Sequence, residues 1–173
     1  MLAAGGRVQT ILGIGPGTAT MGWGVVREEG SRLHYVQHGA IITPPDWEMP
    51  RRLGRLFDGV TELVRGYQPG TVAIEELFFN ANVTTAITVG QARGVALLAA
   101  YKAGIEVTEY TPLQVKQAIT SYGRADKRQV QEMVKALLNL PAIPRPDDAA
   151  DGLAIAICHA FSSSLSGKVG VGK

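Results

Sequence analysis

The order in which strand-like and helix-like segments follow one another is the feature that most restricts the fold of this chain. Three apolar runs come first, at residues 8–14, 21–28 and 32–42. The short Gly-containing turns between them are typical of antiparallel strands. Apolar residues then recur at helical spacing from Leu53 to Val64. The order βββαβαβααα predicts one α/β domain with a mixed sheet of five strands and helices on its faces.

The later elements are bounded by turn and capping signals. They are predicted as strands 71–76 and 105–110 and as helices at 82–104, from Thr111, at 127–140 and at 147–164. Asp126, with Gln129 three residues later, has the spacing of a capping box. We expect residues 1–173 to form a single domain in which segments 1–6 and 163–173 are flexible.

Composition indicates a globular protein and a cytoplasmic location. The chain has 173 residues, of which 46% are hydrophobic and 18% charged, which suffices for a sizeable core. No run approaches 18 uninterrupted apolar residues, so we expect no membrane span, and the first residues lack the apolar core of a signal peptide. The single cysteine, Cys158, permits no intramolecular disulfide.

The formal net charge is only +2, but the basic residues are unevenly distributed. They concentrate in two segments: Arg51, Arg52, Arg55 and Arg65, and then Lys116, Arg124, Lys127, Arg128 and Lys135. Such charges indicate either solvated helix faces or a surface that contacts phosphates.

Four carboxylates occupy positions, at a strand end and at a helix start, where they could form a catalytic or metal-binding site. Glu75 ends a short apolar strand, and Asp147, Asp148 and Asp151 open the last predicted helix. Spacings of three and four residues both place side chains on one helix face, so Asp151 could pair with Asp148 or with Asp147. Acids in a first helical turn also stabilise the helix without any function, and Asp147 is a candidate N-cap.

Carboxylates that converge from a strand end and a helix repel one another unless a cation neutralises them. Mg²⁺ prefers such oxygen ligands, and two such ions can activate water at a phosphodiester. The three histidines are scattered, so no zinc site is indicated, and Cys158 is interpreted as a core residue.

Five motifs together resemble RuvC-type Holliday-junction resolvases, in order from about residue 8 to residue 161. They are ILGIGPGTATMGWGVV, VAIEELFF, VGQARGVALLAA, YTPLQVKQAITSYGRADKRQVQEMV and PDDAADGLAIAICH. The resemblance implies a ribonuclease-H-like fold and a homodimer that nicks two like-polarity strands of four-way junction DNA in recombination and repair. It also implies Mg²⁺ or Mn²⁺ as cofactor, two ions in each site, and cooperation with a branch-migration motor complex.

The resemblance also assigns roles to individual residues. Glu75, Asp148 and Asp151 match the family's catalytic, metal-binding carboxylates, which selects Asp148 over Asp147. Lys116 and Lys127 match basic residues that face the DNA. Phe78 matches an aromatic residue that meets bases at the junction centre. Arg124 and Arg128 lie in the same basic segment as Lys127 and are further candidates for DNA contact.

Gly15 is the one serious departure from the family pattern, because an aspartate is expected there before Pro-Gly. A glycine offers only its backbone, so the site falls from four carboxylates to three, and neither Glu28 nor Glu29 is placed to replace the lost one. We therefore predict a chain that binds junctions but cleaves poorly or not at all. A phosphate-binding glycine loop is disfavoured, because Thr18 breaks the G-x-G-x-x-G pattern and no helix follows.

Two other functions stay open from the sequence. Gly15 supports a non-catalytic module that binds junctions, and a related nuclease acting on structured RNA is the other alternative. For the homodimer, the small residues of the second helix, Gly90, Ala92, Gly94 and Ala96, are the candidate contact.

Overall fold

A computed structural model describes residues 7–76 and 82–169, with side chains up to residue 163. It confirms the order βββαβαβααα and the mixed five-stranded sheet. The strands are β1 (Val8–Gly15), β2 (Thr20–Glu29), β3 (Arg32–Ile42), β4 (Thr71–Glu75) and β5 (Glu106–Tyr110). The helices are α1 (Met49–Tyr67), α2 (Val83–Lys102), α3 (Pro112–Thr120), α4 (Lys127–Leu137) and α5 (Asp147–Val169).

The sheet has the order β3-β2-β1-β4-β5, with β1 in the centre. Strands β1, β2 and β3 pair antiparallel, as their short turns predict, whereas β4 and β5 add parallel to β1. Ile14 of β1 lies opposite Ile74 of β4, so Gly15 and Glu75 follow at the same edge of the sheet. The register thus brings these two positions together.

Two layers of helices cover the sheet, each with its own apolar core. Helices α3, α4 and α5 pack on one face, where Ile11, Leu153 and Ile157 are fully or almost fully buried. Helices α1 and α2 pack on the other face, around residues such as Leu12 and Leu56. This is the three-layer arrangement of a ribonuclease-H-like domain.

Glycines bring α5 unusually close to β1 and β2. A Cβ atom on Gly22 would lie 1.8 Å from the carbonyl oxygen of Asp148, and one on Gly13 would lie 2.1 Å from that of Gly152. A Cβ on Gly152 itself would lie 2.6 Å from the backbone of Trp23. Because no side chain fits between these backbones, the first turns of α5 lie directly over the end of β1.

The capping box of Asp126 and Gln129 is confirmed, with both hydrogen bonds at 2.8 Å. Two predicted helix ends were wrong. Helix α4 ends at Leu137 instead of residue 140, and Asn139 then adopts a left-handed φ of 53°. Helix α5 continues to Val169, into the segment predicted to be flexible, whereas residues 1–6 lie outside the described part of the chain.

Helix α2 has the length and apolar character of a membrane span, with a mean hydropathy of 1.3 over 18 residues. Its inner face, however, packs into the core: Ala92, Ala96 and Ala100 are fully buried. Arg93 of the same helix pairs with Glu109 of β5. One face of α2 thus packs against the protein's own core while the rest of the helix is exposed, and the expected absence of a membrane span stays a prediction.

Candidate active site

Glu75 and Asp151 meet with two lysines in a cavity of about 250 Å³ at the edge of the sheet. Glu75 comes from the end of β4, Asp151 from the second turn of α5, and Lys116 and Lys127 from α3 and α4. The floor is apolar and consists of Val115, Val130, Ala154 and Ile155. Paired charges above an apolar floor are typical of a site built for polar chemistry.

The pKa of Glu75 is raised to about 7, mainly by burial and secondly by the negative charge of Asp151. The positive charges of Lys116 and Lys127 act in the opposite direction and do not fully compensate. A carboxyl group with such a pKa is poised either to exchange a proton near neutral pH or to accept a bound cation in place of the proton.

The pKa of Asp151 is likewise raised, to about 6, and burial is again the main cause. Lys127 lowers this pKa, whereas the charges of Asp148 and Asp147 raise it. The Nζ atom of Lys127 lies 3.9 Å from Oδ2 of Asp151. Lys127 therefore offsets only part of the repulsion among the acids.

Asp147 is the first residue of α5 and not its N-cap, so that candidate role was wrong. It does not line the cavity, and its carboxylate pairs with Arg145 at 3.0 Å and with Lys127 at 3.8 Å. It acts on the site only from a distance, through Lys127 and through its charge.

Asp148 lies beside this cavity and not within it. It lines a second, polar cavity of about 430 Å³ together with Gly17, Thr18, Ala19, Thr20, Arg52 and Thr88. The backbone of Asp148 lies against Gly22, which pairs with Gly15 across the β1–β2 ladder. Asp148 and Asp151 thus start from one helix turn and line adjacent cavities.

Gly15 adjoins Asp151 of α5 directly and Asp148 through Gly22. A Cβ atom on Gly15 would lie 3.9 Å from the Cβ of Asp151, and its register partner Gly22 lies beneath Asp148. Glu28 and Glu29 pair with Gln9 and Val8 at the opposite end of β1, as the sequence predicts. The position at which the family resemblance expects an aspartate therefore lies beside Asp151.

Among residues 7–76 and 82–169, no three His, Cys, Asp or Glu side chains lie close enough together to hold a metal ion. Glu75 and Asp151 nevertheless fit one: they are hard oxygen donors whose raised pKa values reflect burial and neighbouring negative charge. The remaining carboxylate, Asp148, faces the adjoining cavity.

The other predicted DNA-contacting residues do not line the cavity. Arg124 is exposed between α3 and α4, and Arg128 pairs with Glu132 one helical turn away, at 3.1 Å. Phe78 lies outside the described residues.

Sequence reasoning missed the polar groups around Asp148. It treated Thr18 only as a break in a glycine pattern and Arg52 only as one of several basic residues. The strand glycines Gly13, Gly22 and Gly24 were the available signal, because glycines inside strands mark a close backbone approach.

The sheet order and the acids at the ends of β4 and α5 define a ribonuclease-H-like nuclease fold. The sequence model of the family described as "Crossover junction endodeoxyribonuclease RuvC" matches residues 11–159. The crossover junction endodeoxyribonuclease RuvC of Rubrobacter xylanophilus is 82% identical over 165 residues, which cover 95% of this chain and 92% of that protein. This chain therefore belongs to the RuvC family.

Solved structures agree with this assignment. Thermus thermophilus RuvC in complex with a Holliday junction substrate has a TM-score of 0.87 and 38% identity, and the match covers 91% of this chain and 96% of that one. The yeast mitochondrial Holliday junction resolvase, at 14% identity and a TM-score of 0.65, shares the fold.

Proposed function

We propose that this protein binds four-way DNA junctions and carries the active site of a junction-resolving endonuclease, with catalysis impaired by Gly15. The observation that carries the proposal is the convergence of Glu75 and Asp151 with Lys116 and Lys127 at one sheet edge, in a chain of the RuvC family. The solved complex of a 38% identical relative with a Holliday junction supports the choice of substrate.

Glu75 and Asp151 are the proposed ligands of a divalent cation, Mg²⁺ or Mn²⁺, with Asp148 approaching from the adjoining cavity. When bound, such a cation lowers the pKa of water and stabilises the leaving oxygen of a phosphodiester. The apolar residues beside the two carboxylates contribute to their partial desolvation, which strengthens their attraction for a cation.

Lys116 and Lys127 are proposed to position the phosphate backbone of the DNA. Both line the cavity, and Lys127 lies within 4 Å of Asp151 without neutralising the site. A phosphodiester placed between the lysines and the carboxylates has its negative charge balanced while its phosphorus faces the site of attack. Loss of either lysine should weaken junction binding and make it less sensitive to salt.

Gly15 accounts for the proposed impairment. The space above Gly15 is open enough for a side chain, since the nearest atoms to its Cβ position lie at 3.9–4.0 Å. An aspartate there would place a carboxylate next to Asp151, near the first turn of α5 that carries Asp148. The family resemblance expects a carboxylate at this position. Without it, two ions are held by fewer negative charges, and their affinity for the site falls.

We also propose a homodimer that uses α2, but with a different face from the one the sequence predicted. Ala92 and Ala96 are buried against the protein's own core, so that part of the prediction was wrong. The outward face of α2 instead presents an apolar row consisting of Val83, Ile87, Leu98 and Tyr101, between 50% and 79% exposed. Two-fold pairing through this row would give one site for each cut strand.

Cooperation with a branch-migration motor and a cytoplasmic location remain expectations from the sequence.

A non-catalytic junction-binding module is the second candidate, and Gly15 is the observation that favours it. The deciding experiment is nicking of a labelled four-way junction in Mg²⁺ and in Mn²⁺ by this chain and by Gly15→Asp. We expect paired nicks from the variant and binding with little or no nicking from the parent. If neither protein nicks the junction that both bind, the non-catalytic module is the better description. If folded RNA is bound more tightly than the junction, the choice of substrate is wrong.

A further inference from the structure

The cavity beside Asp148 contains an arginine that the proposed mechanism does not use. Arg52 lies in the first turn of α1 and lines the space of about 430 Å³ with Asp148 and three threonines, whereas Lys127 lines the other cavity. An arginine keeps its positive charge at any pH relevant to proteins, so the cavity carries a fixed cation.

The guanidinium of Arg52 is held in place by a chain of hydrogen bonds. Its Nε donates to Oγ1 of Thr43 at 2.8 Å, and the same Thr43 hydroxyl donates to the carbonyl of Thr18 at 2.5 Å. The Thr18 hydroxyl in turn donates to the carbonyl of Thr88 on α2 at 2.8 Å. Thr43 is buried, so this chain fixes the guanidinium relative to the turn between β1 and β2.

Only one edge of the guanidinium is used by these contacts. Within residues 7–76 and 82–169, the terminal nitrogens of Arg52 have no hydrogen-bond or ion-pair partner, and Asp148 lies beyond ion-pair distance. Neighbouring Arg51 differs, because its guanidinium stacks 3.7 Å above the Trp47 ring. Arg52 thus presents an oriented, unused pair of donors, which is the geometry that binds a phosphate through two parallel hydrogen bonds.

We propose that Arg52 binds a backbone phosphate of the DNA strand that enters the site, on the side opposite Lys116 and Lys127. This inference rests on the proposed function, since it takes DNA as the substrate. The threonine hydroxyls of the same cavity supply further donors to the phosphate oxygens. A strand crossing the carboxylates is then held by cations on both sides, which fixes its direction over Asp148 and Asp151.

The test compares junction affinity across a salt series, in Ca²⁺, for the full chain and three variants. Arg52→Gln should weaken binding roughly tenfold. It should also make the negative slope of log affinity against log salt shallower by about 0.9 for each phosphate contact that is lost. Arg65→Gln is the matched control, because Arg65 lies in the last turn of the same helix, about 20 Å away. It should leave affinity and slope unchanged.

Thr43→Val distinguishes the charge of Arg52 from the hydrogen bond that orients its side chain. It removes the hydroxyl that orients Arg52 but keeps the guanidinium charge, so junction affinity should fall by less than in Arg52→Gln. The inference is overturned if Arg52→Gln keeps the parent's affinity and slope, or if Thr43→Val weakens binding more than Arg52→Gln does. If the parent itself shows no preference for the junction over duplex DNA, the proposed function fails instead. Melting temperatures of all four proteins confirm that the comparison is made between folded chains.

Discussion

Gly15 and Asp151 face one another across the β1–α5 contact, with 3.9 Å between the Cβ of Asp151 and the position that a Cβ on Gly15 would occupy. The neighbouring atoms around that position are at ordinary contact distance. A side chain at residue 15 therefore fits the fold as it stands, and its chemistry decides what the site can hold. An aspartate at residue 15 would therefore act on the site through its charge and not through its bulk.

Introducing the missing acid should make the fold sensitive to divalent cations. In Gly15→Asp without Mg²⁺, the melting temperature should drop below that of the parent, because a third buried acid joins two that already have raised pKa values. Saturating Mg²⁺ should then raise it by roughly 5–10 °C. The comparison is made by calorimetry, with the isosteric Gly15→Asn as control. An equal Mg²⁺ response in the Asn variant would contradict a role for the charge.

Glu75 should make the free energy of unfolding fall as pH rises. Its pKa is raised from 4.5 to about 7 in the folded protein, so between these values the folded chain holds more protons than the unfolded one. Stability from this group is therefore fully present below pH 4.5 and is lost as pH approaches 7. The shift corresponds to about 3 kcal/mol. Urea unfolding from pH 4.5 to 7.5, without divalent ions, should show a steeper decline for the parent than for Glu75→Gln. Parallel curves would show that Glu75 titrates normally.

Gly152 should be intolerant of even a methyl group. The added Cβ would lie 2.6 Å from the backbone of Trp23, so α5 has to move off the sheet and carry Asp148 and Asp151 with it. Strain of this kind outweighs the better helix propensity of alanine, and we expect a net loss of about 2 kcal/mol or more. Gly54→Ala in α1 is the control, since nothing lies within 4 Å of its Cβ position and a gain of about 0.5–1 kcal/mol is expected. Urea denaturation measures both. If Gly152→Ala left the free energy of unfolding unchanged, α5 would pack less tightly on the sheet than its contacts indicate.

The element order and the acids at sheet and helix ends were predictable because local patterns determine them. The apolar strand runs, the helical spacing and the Asp126 capping box depend on neighbours in sequence, and each was confirmed. The separation of Asp148 from the Glu75–Asp151 cavity was not predictable, because it depends on how α5 crosses β1 and β2. Helical spacing places Asp148 and Asp151 on one face, but only the glycine contacts of the sheet fix which cavity each carboxylate enters.

The hydrogen-bonded chain from Arg52 to Thr88 was equally beyond sequence reasoning. Its members are separated by up to 70 residues, and threonines and a helix-surface arginine carry no local signal of a shared cavity. The inward orientation of Ala92 and Ala96 has the same origin. Small residues on α2 permit close packing, but the sequence does not say whether the close neighbour belongs to the same chain or to a partner.

The exposed row on α2 should control the oligomeric state. Leu98 is half exposed in that row, one turn before Tyr101, and Gly94 before it leaves open space. A charge buried in an apolar two-fold interface occurs twice and has no partner there, so Leu98→Glu should convert a dimer to a monomer at micromolar concentration. Leu113→Glu on α3 is the control, since that leucine is exposed to a similar extent, 53%, on another helix. Light scattering after gel filtration gives both masses. A monomeric parent, or a Leu98→Glu variant that stays dimeric while Leu113→Glu dissociates, would remove α2 from the interface.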